Sequence, residues 1–329
     1  MLSVVIPLYN KEHTILRTIY SVITQTYADF EVIVVDDGSK DAGARLLAEH
    51  VHDGRIRIVR QENQGVSAAR NRGVAESQYE YIAFLDADDE WLPTYLEKVV
   101  EAISLHPDAG IFCTPGLHRN LMTGQGRYFI ANEYRGKIAE MDYFREPKVL
   151  GGQTSGVVVA KNAFERLQSD YEGGGFPVGL NLNEDWACFQ SIALISQAVY
   201  IGFSLTIRNT HVVGQLVDLE DDGLDMRLNK TPKYLNITLR NYLKLGQCNH
   251  SFERYRKYEI RSLVSFFFRM RHHKAHLSTF IENLDPAHSR LLLPNEFKFY
   301  SAVPRSIGLL FIFSTKLKFW LETKCYSTT

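Results

Sequence analysis

Phe30-Glu31-Val32-Ile33-Val34-Val35, stopped by Asp36-Asp37-Gly38-Ser39 (FEVIVVDDGS), is the stretch from which the architecture can be read. A short, β-branched run closed by turn formers reads as a buried strand. Outward toward the N-terminus, Leu2–Pro7 repeats the pattern. Between the two, Lys11–Gln25 places Ile15, Ile19, Val22 and Ile23 at helical spacing. In the other direction Asp41–Val51 reads as a helix and Arg55–Arg60 alternates like a strand nearer an edge. A helix over Gly65–Glu76 follows, opened by Asn63-Gln64-Gly65. Next comes a strand, Tyr79–Leu85, running into Asp86-Ala87-Asp88-Asp89. Pro93 suits a helix's first turn; that helix continues to Leu105, and Ala109–Thr114 is a further strand. This alternation predicts an α/β fold with a doubly wound, mostly parallel sheet flanked by helices.

No element is assigned from Gly116 to Val149. Thr154–Ala160 reads as a strand, followed by a helix from Asn162, a Gly173-Gly174-Gly175 loop, a helix from Asn183 to Ile195 and a strand at Ala198–Phe203. Beyond Asp225 the chain reads as helical, basic and rich in Tyr and Phe.

The 329 residues carry a formal net charge of −1 and are 45% hydrophobic, which excludes wholesale disorder. That near-neutral total hides an asymmetry. Residues 1–225 hold 19 Lys+Arg and 32 Asp+Glu (−13), and residues 226–329 hold 18 and 6 (+12). The break predicts two regions, an acidic 1–225 and a basic 226–329. No apolar run reaches the roughly 18–20 residues of a membrane span. The N-terminus lacks the pattern of a signal peptide. Four scattered cysteines with no CxxC pair fit a reducing, cytoplasmic compartment.

In such sheets ligands bind at the carboxyl ends of the strands. Neither GxGxxG nor GxxxxGK[ST] follows the first strand, which weighs against a dinucleotide dehydrogenase and a P-loop NTPase. Acidic turns stand there instead. Only one of Asp36 and Asp37 can lean into the crevice, because successive strand side chains alternate. Asp37 is the candidate, either accepting a hydrogen bond from a pyrimidine imide or serving as a turn or cap residue. Asp86 and Asp88, one residue apart, share a side if the chain stays extended, and two carboxylates suit Mg2+ or Mn2+ carrying phosphate oxygens. Their other reading is a charged helix start. Asp89 would cap the next helix. Arg70 either pairs with phosphate or base or is a solvated surface arginine.

VVIPLYNKE (Val4–Glu12), VVDDGSKD (Val34–Asp41), ENQGVSAARNRG (Glu62–Gly73) and FLDADDEWLP (Phe84–Pro93), in that order, resemble glycosyltransferase family 2. Its members are inverting, metal-dependent enzymes of the GT-A fold. The resemblance is strong over about the first 115 residues and thinner to about residue 212. It implies that Pro7 and Tyr9 line a nucleotide pocket, that Asp37 holds the base, and that Arg70 lies near base and diphosphate. It implies Asp86 near ribose or metal and Asp88 as metal ligand. The family's catalytic base is the Asp of a Glu-Asp pair opening a later helix, here Glu184-Asp185, so Asp185 is the base candidate and Glu184 joins the nucleotide-sugar site. Arg208 and His211 match a pair found after the last core strand in some members, with His211 near metal or diphosphate. One departure stands out: Gly174-Gly175-Phe176 is followed by Pro177-Val178-Gly179, where the family often has an acidic residue.

The expected function is transfer of a sugar from a nucleotide diphosphate, a UDP-sugar by default, to a hydroxyl of a glycan or lipid-linked acceptor. A nucleotidyltransferase of similar fold and a non-catalytic sugar-nucleotide or membrane-binding module are the alternatives. Phe266–Lys274 and Ile307–Trp320 mix aromatics with positive charge. They read either as an interfacial segment on the cytoplasmic face of a membrane or as helices packed on the catalytic region or a second subunit. No nucleic-acid-binding module is visible.

Overall fold

The seven residues of β1 (Leu2–Leu8) and the seven of β2 (Phe30–Asp36), most of them apolar, pair in parallel, with Leu2 opposite Phe30 and Leu8 opposite Asp36. This is the centre of a computed structural model that describes residues 1–145, 154–180, 182–210, 224, 226–268 and 273–290. The chain divides into two compact units, Met1–Glu220 and Asp221–Thr329.

In the first unit α1 (Ile15–Ile23), α2 (Gly43–His50), β3 (Ile56–Arg60), α3 (Val66–Glu76) and β4 (Tyr81–Phe84) continue the alternation. After them come β5 (Glu90–Trp91), α4 (Tyr95–Leu105), β6 (Ala109–Cys113), β7 (Gly116–Asn120), β8 (Gly126–Tyr128) and β9 (Ile138–Met141). The unit ends with β10 (Val157–Ala160), α5 (Lys161–Asp170), α6 (Glu184–Ile195), β11 (Gln197–Ile201) and β12 (Thr206–Thr210). The main sheet has eight strands in the order β3-β2-β1-β4-β10-β6-β11-β9. The β3–β2–β1–β4 pairings and β6–β11 are parallel; β10 and β9 run antiparallel to their neighbours. Burial against helices explains the apolar runs of the parallel strands. The expected α/β class and flanked sheet are therefore present, with β3 at the edge.

Helix α1 turns Ile15, Ile19 and Val22 into the core beneath β1 and β2. Helix α3 comes closest to the sheet. A Cβ on Gly73 would run into the Val5 side chain, so a bare backbone there lets the helix rest directly on β1. The first turn of α3 is thereby set beside the carboxyl ends of β1 and β2.

A second, four-stranded sheet, β5-β12-β7-β8, lies in the stretches where no strands were expected, and β9 joins the main sheet from the same gap. The reason is compositional. Strand β7 is GLHRN, β12 is TIRNT and β8 is fully exposed GRY, so none shows a buried apolar run.

In the second unit α7 (Thr231–Leu245) starts with Pro232 in its first turn and stops at Gly246, whose φ is +65°. Helices α8 (His250–Phe268) and α9 (His273–Glu282) follow. Leu235, Leu239, Phe252, Val264 and Phe280 form apolar burial in this unit, with Arg256 and His288 fully buried as well. No described helix is long and apolar enough to cross a membrane. Ile307–Trp320 lies outside the described residues, as does part of Phe266–Lys274.

Candidate active site

The site forms where β1, β2 and β4 end. At the end of β2, Asp36 accepts the Ser39 N–H at 2.9 Å and closes the turn. Asp37 is buried, and its Oδ1 accepts from the Gln64 N–H (2.9 Å) and the Gln61 side-chain amide (2.8 Å). Its Oδ2 accepts from the Gly65 N–H at 2.8 Å. Asp37 thus ties the start of α3 to the end of β2. A carboxylate oxygen can accept more than one hydrogen bond, so Oδ2, with one donor, retains capacity for a ligand.

At the end of β1, Pro7 is half-buried and Tyr9 is exposed. Asn10 has a left-handed backbone (φ +52°). Its side-chain oxygen accepts the Lys40 N–H at 2.9 Å, and its own N–H donates to Ser39 Oγ at 3.2 Å. The Glu12 N–H donates to Asp41 at 2.8 Å while the Glu12 carboxylate accepts the Ala42 N–H at 2.9 Å. The loops after β1 and β2 are therefore laced together.

Beyond β4 the chain does not stay extended. The Asp89 N–H donates to Asp86 C=O at 3.0 Å, so Asp86–Asp89 is a turn, and the same-side argument for Asp86 and Asp88 does not hold as stated. Asp86 Oδ1 accepts from Arg70 at 2.7 Å, and Asp88 Oδ2 from Lys11 Nζ at 2.8 Å. One oxygen of each carboxylate has no protein hydrogen bond among the described residues. Asp89 does not cap α4. It is buried, accepting from Ser155 Oγ (2.6 Å) and the Asn209 N–H (2.9 Å). Burial, then the charges of Asp88 and Asp86, push its carboxyl well above the usual range.

Arg70 lies on α3 and is buried, which overturns the reading of a solvated surface arginine. Its guanidinium donates to Asp86 on one side and to Glu184, 2.9 Å away, on the other. It also lies over the Phe176 ring, 5.2 Å from the centroid. Burial opposes the charge, but Asp86, Glu184 and Asp185 outweigh it, so the Arg70 pKa is raised. Burial and the charge of Asp185 raise the Glu184 carboxyl, with Arg70 pulling the other way. Arg70 thus joins Asp86 to Glu184, and it lies 114 positions from the latter in the chain.

The helix bearing Glu184 and Asp185 begins after Asn183, which is left-handed at φ +63°. Asp185 is half-buried; it accepts from Thr154 Oγ1 at 3.0 Å and from the Trp186 N–H at 2.7 Å. The Gly173–Gly175 loop is pinned to α3 by Asn71, which donates to Phe176 C=O (2.8 Å) and accepts its N–H (2.9 Å). Gly175 has φ +93°, and a Cβ there would meet Asn71 Oδ1 at 2.8 Å and the Phe164 ring at 2.6 Å.

Asp37, Arg70, Asp86 and Glu184 are thus linked through α3, Asp185 follows Glu184 on its helix, and Asp88 lies two residues beyond Asp86 in the same turn. Lys11, Asn71, Thr154, Ser155 and Asn209 were not singled out from sequence. Lys11 and Asn71 lie inside two of the quoted motifs. Thr154 and Ser155 reach Asp185 and Asp89 respectively, and nothing in their local sequence announces it. Arg208 lies on β12, paired in register with His118 of β7. His211 lies outside the described residues.

The donor set fits a hard divalent cation: the free oxygens belong to carboxylates at the mouth of the sheet. The sequence model of glycosyl transferase family 2 matches residues 3–168, half of the chain. The chain belongs to that family. It is similar to glycosyltransferase GlyA of Streptococcus pneumoniae, 40% identical over 105 residues, covering 30% of this chain and 15% of GlyA. It is also similar to an uncharacterized glycosyltransferase of Haemophilus influenzae, 28% identical over 187 residues, 56% of this chain and 60% of that protein. The chain thus spans less than two thirds of the length of each of these curated relatives. Among solved structures it resembles S. aureus TarS 1–349 in complex with UDP-GlcNAc, with a TM-score of 0.69 at 15% identity. That likeness covers 98% of this chain and 91% of the TarS chain, and it is a likeness of fold.

Proposed function

We infer that the protein is an inverting glycosyltransferase that moves a sugar from a nucleotide diphosphate, UDP by default, to a hydroxyl of a glycan or lipid-linked acceptor. One observation carries this: Arg70 gathers Asp86 with Glu184 and Asp185 at the carboxyl ends of the strands. The family match and the UDP-GlcNAc complex of TarS support a sugar-nucleotide donor.

In this reading Pro7 and Tyr9 border the nucleotide, and Asp37 Oδ2 accepts the imide proton of the base. Arg70 keeps the acidic groups in place, and Asp86 faces the ribose or the metal. Asp88, with Asp86, would hold Mg2+ or Mn2+. When bound, the cation neutralises charge on the diphosphate leaving group. Asp185 takes the proton from the acceptor hydroxyl as it attacks the anomeric carbon, with the diphosphate leaving from the opposite face. Thr154 and the Trp186 N–H orient that carboxylate. Residues 1–225 would act as the catalytic region. The basic 226–329 would contact acceptor, an anionic membrane surface on the cytoplasmic side, or a second subunit.

The test pairs two variants across a thermal-shift panel of nucleotide sugars with and without Mn2+, alongside transfer assays. Asp88→Ala is expected to lose metal-dependent stabilisation by the donor. Asp185→Asn is expected to keep it while transfer falls by about 10²–10⁴-fold. Normal sugar turnover by both variants would overturn the reading.

A further inference from the structure

The Asp86–Asp89 turn presents three carboxylates within four residues, and each is handled differently. Asp86 faces Arg70, and Asp89 is held by an O–H and an N–H donor. Asp88, whose side chain is 13% exposed, pairs with Lys11, whose side chain is 17% exposed, at 2.8 Å. The Lys11 backbone is fastened on both sides, by Asn10 to Ser39 and Lys40 and by Glu12 to Asp41 and Ala42. Its four-carbon stem is the adjustable part.

We propose that Lys11 is a built-in counter-cation that competes with the divalent metal for Asp88, and so sets the metal concentration at which the site loads. The inference rests on the metal reading given under the proposed function. A dication on either oxygen of that carboxylate would stand within about 7 Å of the ammonium, in a partly buried setting that screens like charges poorly. The two cations are therefore alternatives. With Lys11 in place the acidic turn is neutralised without metal. When the metal arrives the ammonium must leave Asp88.

The experiment is Mn2+ binding to the full chain, read by the electron paramagnetic resonance signal of free Mn2+, for the wild type, Lys11→Met, Lys11→Arg and Asp88→Asn. Lys11→Met is expected to bind Mn2+ about tenfold more tightly. Lys11→Arg, which keeps the charge, is expected to stay near wild type. Asp88→Asn is expected to erase the gain produced by Lys11→Met. In metal-free buffer Lys11→Met should melt about 2–4 °C lower, and Mn2+ should raise its Tm more than that of the wild type. This second readout separates lost pairing from failed folding. Equal or weaker Mn2+ binding by Lys11→Met, or a Lys11→Arg variant that behaves like it, overturns the inference and leaves the metal reading standing. Absence of Mn2+ binding in every variant, even with uridine diphosphate present, brings down the metal reading and the inference with it.

Discussion

Arg70 in the first unit and Arg256 in the second are both buried arginines, and their surroundings drive them in opposite directions. Arg70 lies between the carboxylates of Asp86 and Glu184, which raise its pKa despite burial. Arg256 is ringed by Phe252, Tyr255 and Tyr234 at 5.0, 6.0 and 5.8 Å from its guanidinium carbon. It donates to Thr238, and Glu259 stands 3.3 Å away. There burial dominates and pulls the pKa down to about 10. The first arginine is a tie between charged parts of a site. The second holds one hydroxyl and faces one carboxylate among aromatic rings. Burial alone therefore does not decide which way a buried arginine's pKa moves; the carboxylates it bridges do.

The largest expected effect is at Arg70. Arg70→Met leaves two carboxylates facing each other with no cation, and should cost about 3–5 kcal/mol in urea unfolding. A loss below about 1 kcal/mol would break the contrast. Gly175→Ala should cost about 2 kcal/mol, since the added Cβ meets Asn71 and Phe164 at a φ of +93°, beside the Phe176 ring on which Arg70 rests. Arg256→Met keeps much of the apolar contact but takes a partner from Thr238 and Glu259, and is expected to cost about 2 kcal/mol in the same assay. A cost equal to that of Arg70→Met would show the two sites to be energetically alike.

The smallest effect is a pH slope. Burial, aided by the charge of Arg256, lowers the His288 pKa from 6.5 to about 4. The unfolded chain then takes up the proton first, so stability falls as pH drops below about 6.5, losing about 1 kcal/mol by about pH 5.5. His288→Gln should flatten that slope in unfolding curves taken between those values; an unchanged slope would remove His288 from the account.

The half of the sheet built from β1 to β4 was legible because β1, β2 and β4 are short, mostly apolar runs and β3 alternates as an edge strand does. The Asp36–Ser39 turn could be read the same way. What could not be read was partnership. Asp88 meets Lys11 and Asp185 meets Thr154 only through tertiary folding, and neither spacing nor periodicity encodes it. The extended-chain geometry assumed for Asp86 and Asp88 failed for a local reason, the backbone bond from Asp89 to Asp86. Strands β7, β8 and β12 were missed because polar, half-exposed segments carry too little apolar alternation to stand out. Asn209, which braces Asp88 and Asp89 from β12, went unseen with them.

The glycine contact between α3 and β1 has a mechanical consequence. With the Val5 side chain against bare backbone at Gly73, the helix contributes no side chain of its own at that contact. Helix α3 is a fixed rail under the pocket, with Asp37 fastened to its front end and Arg70 bolted to its flank.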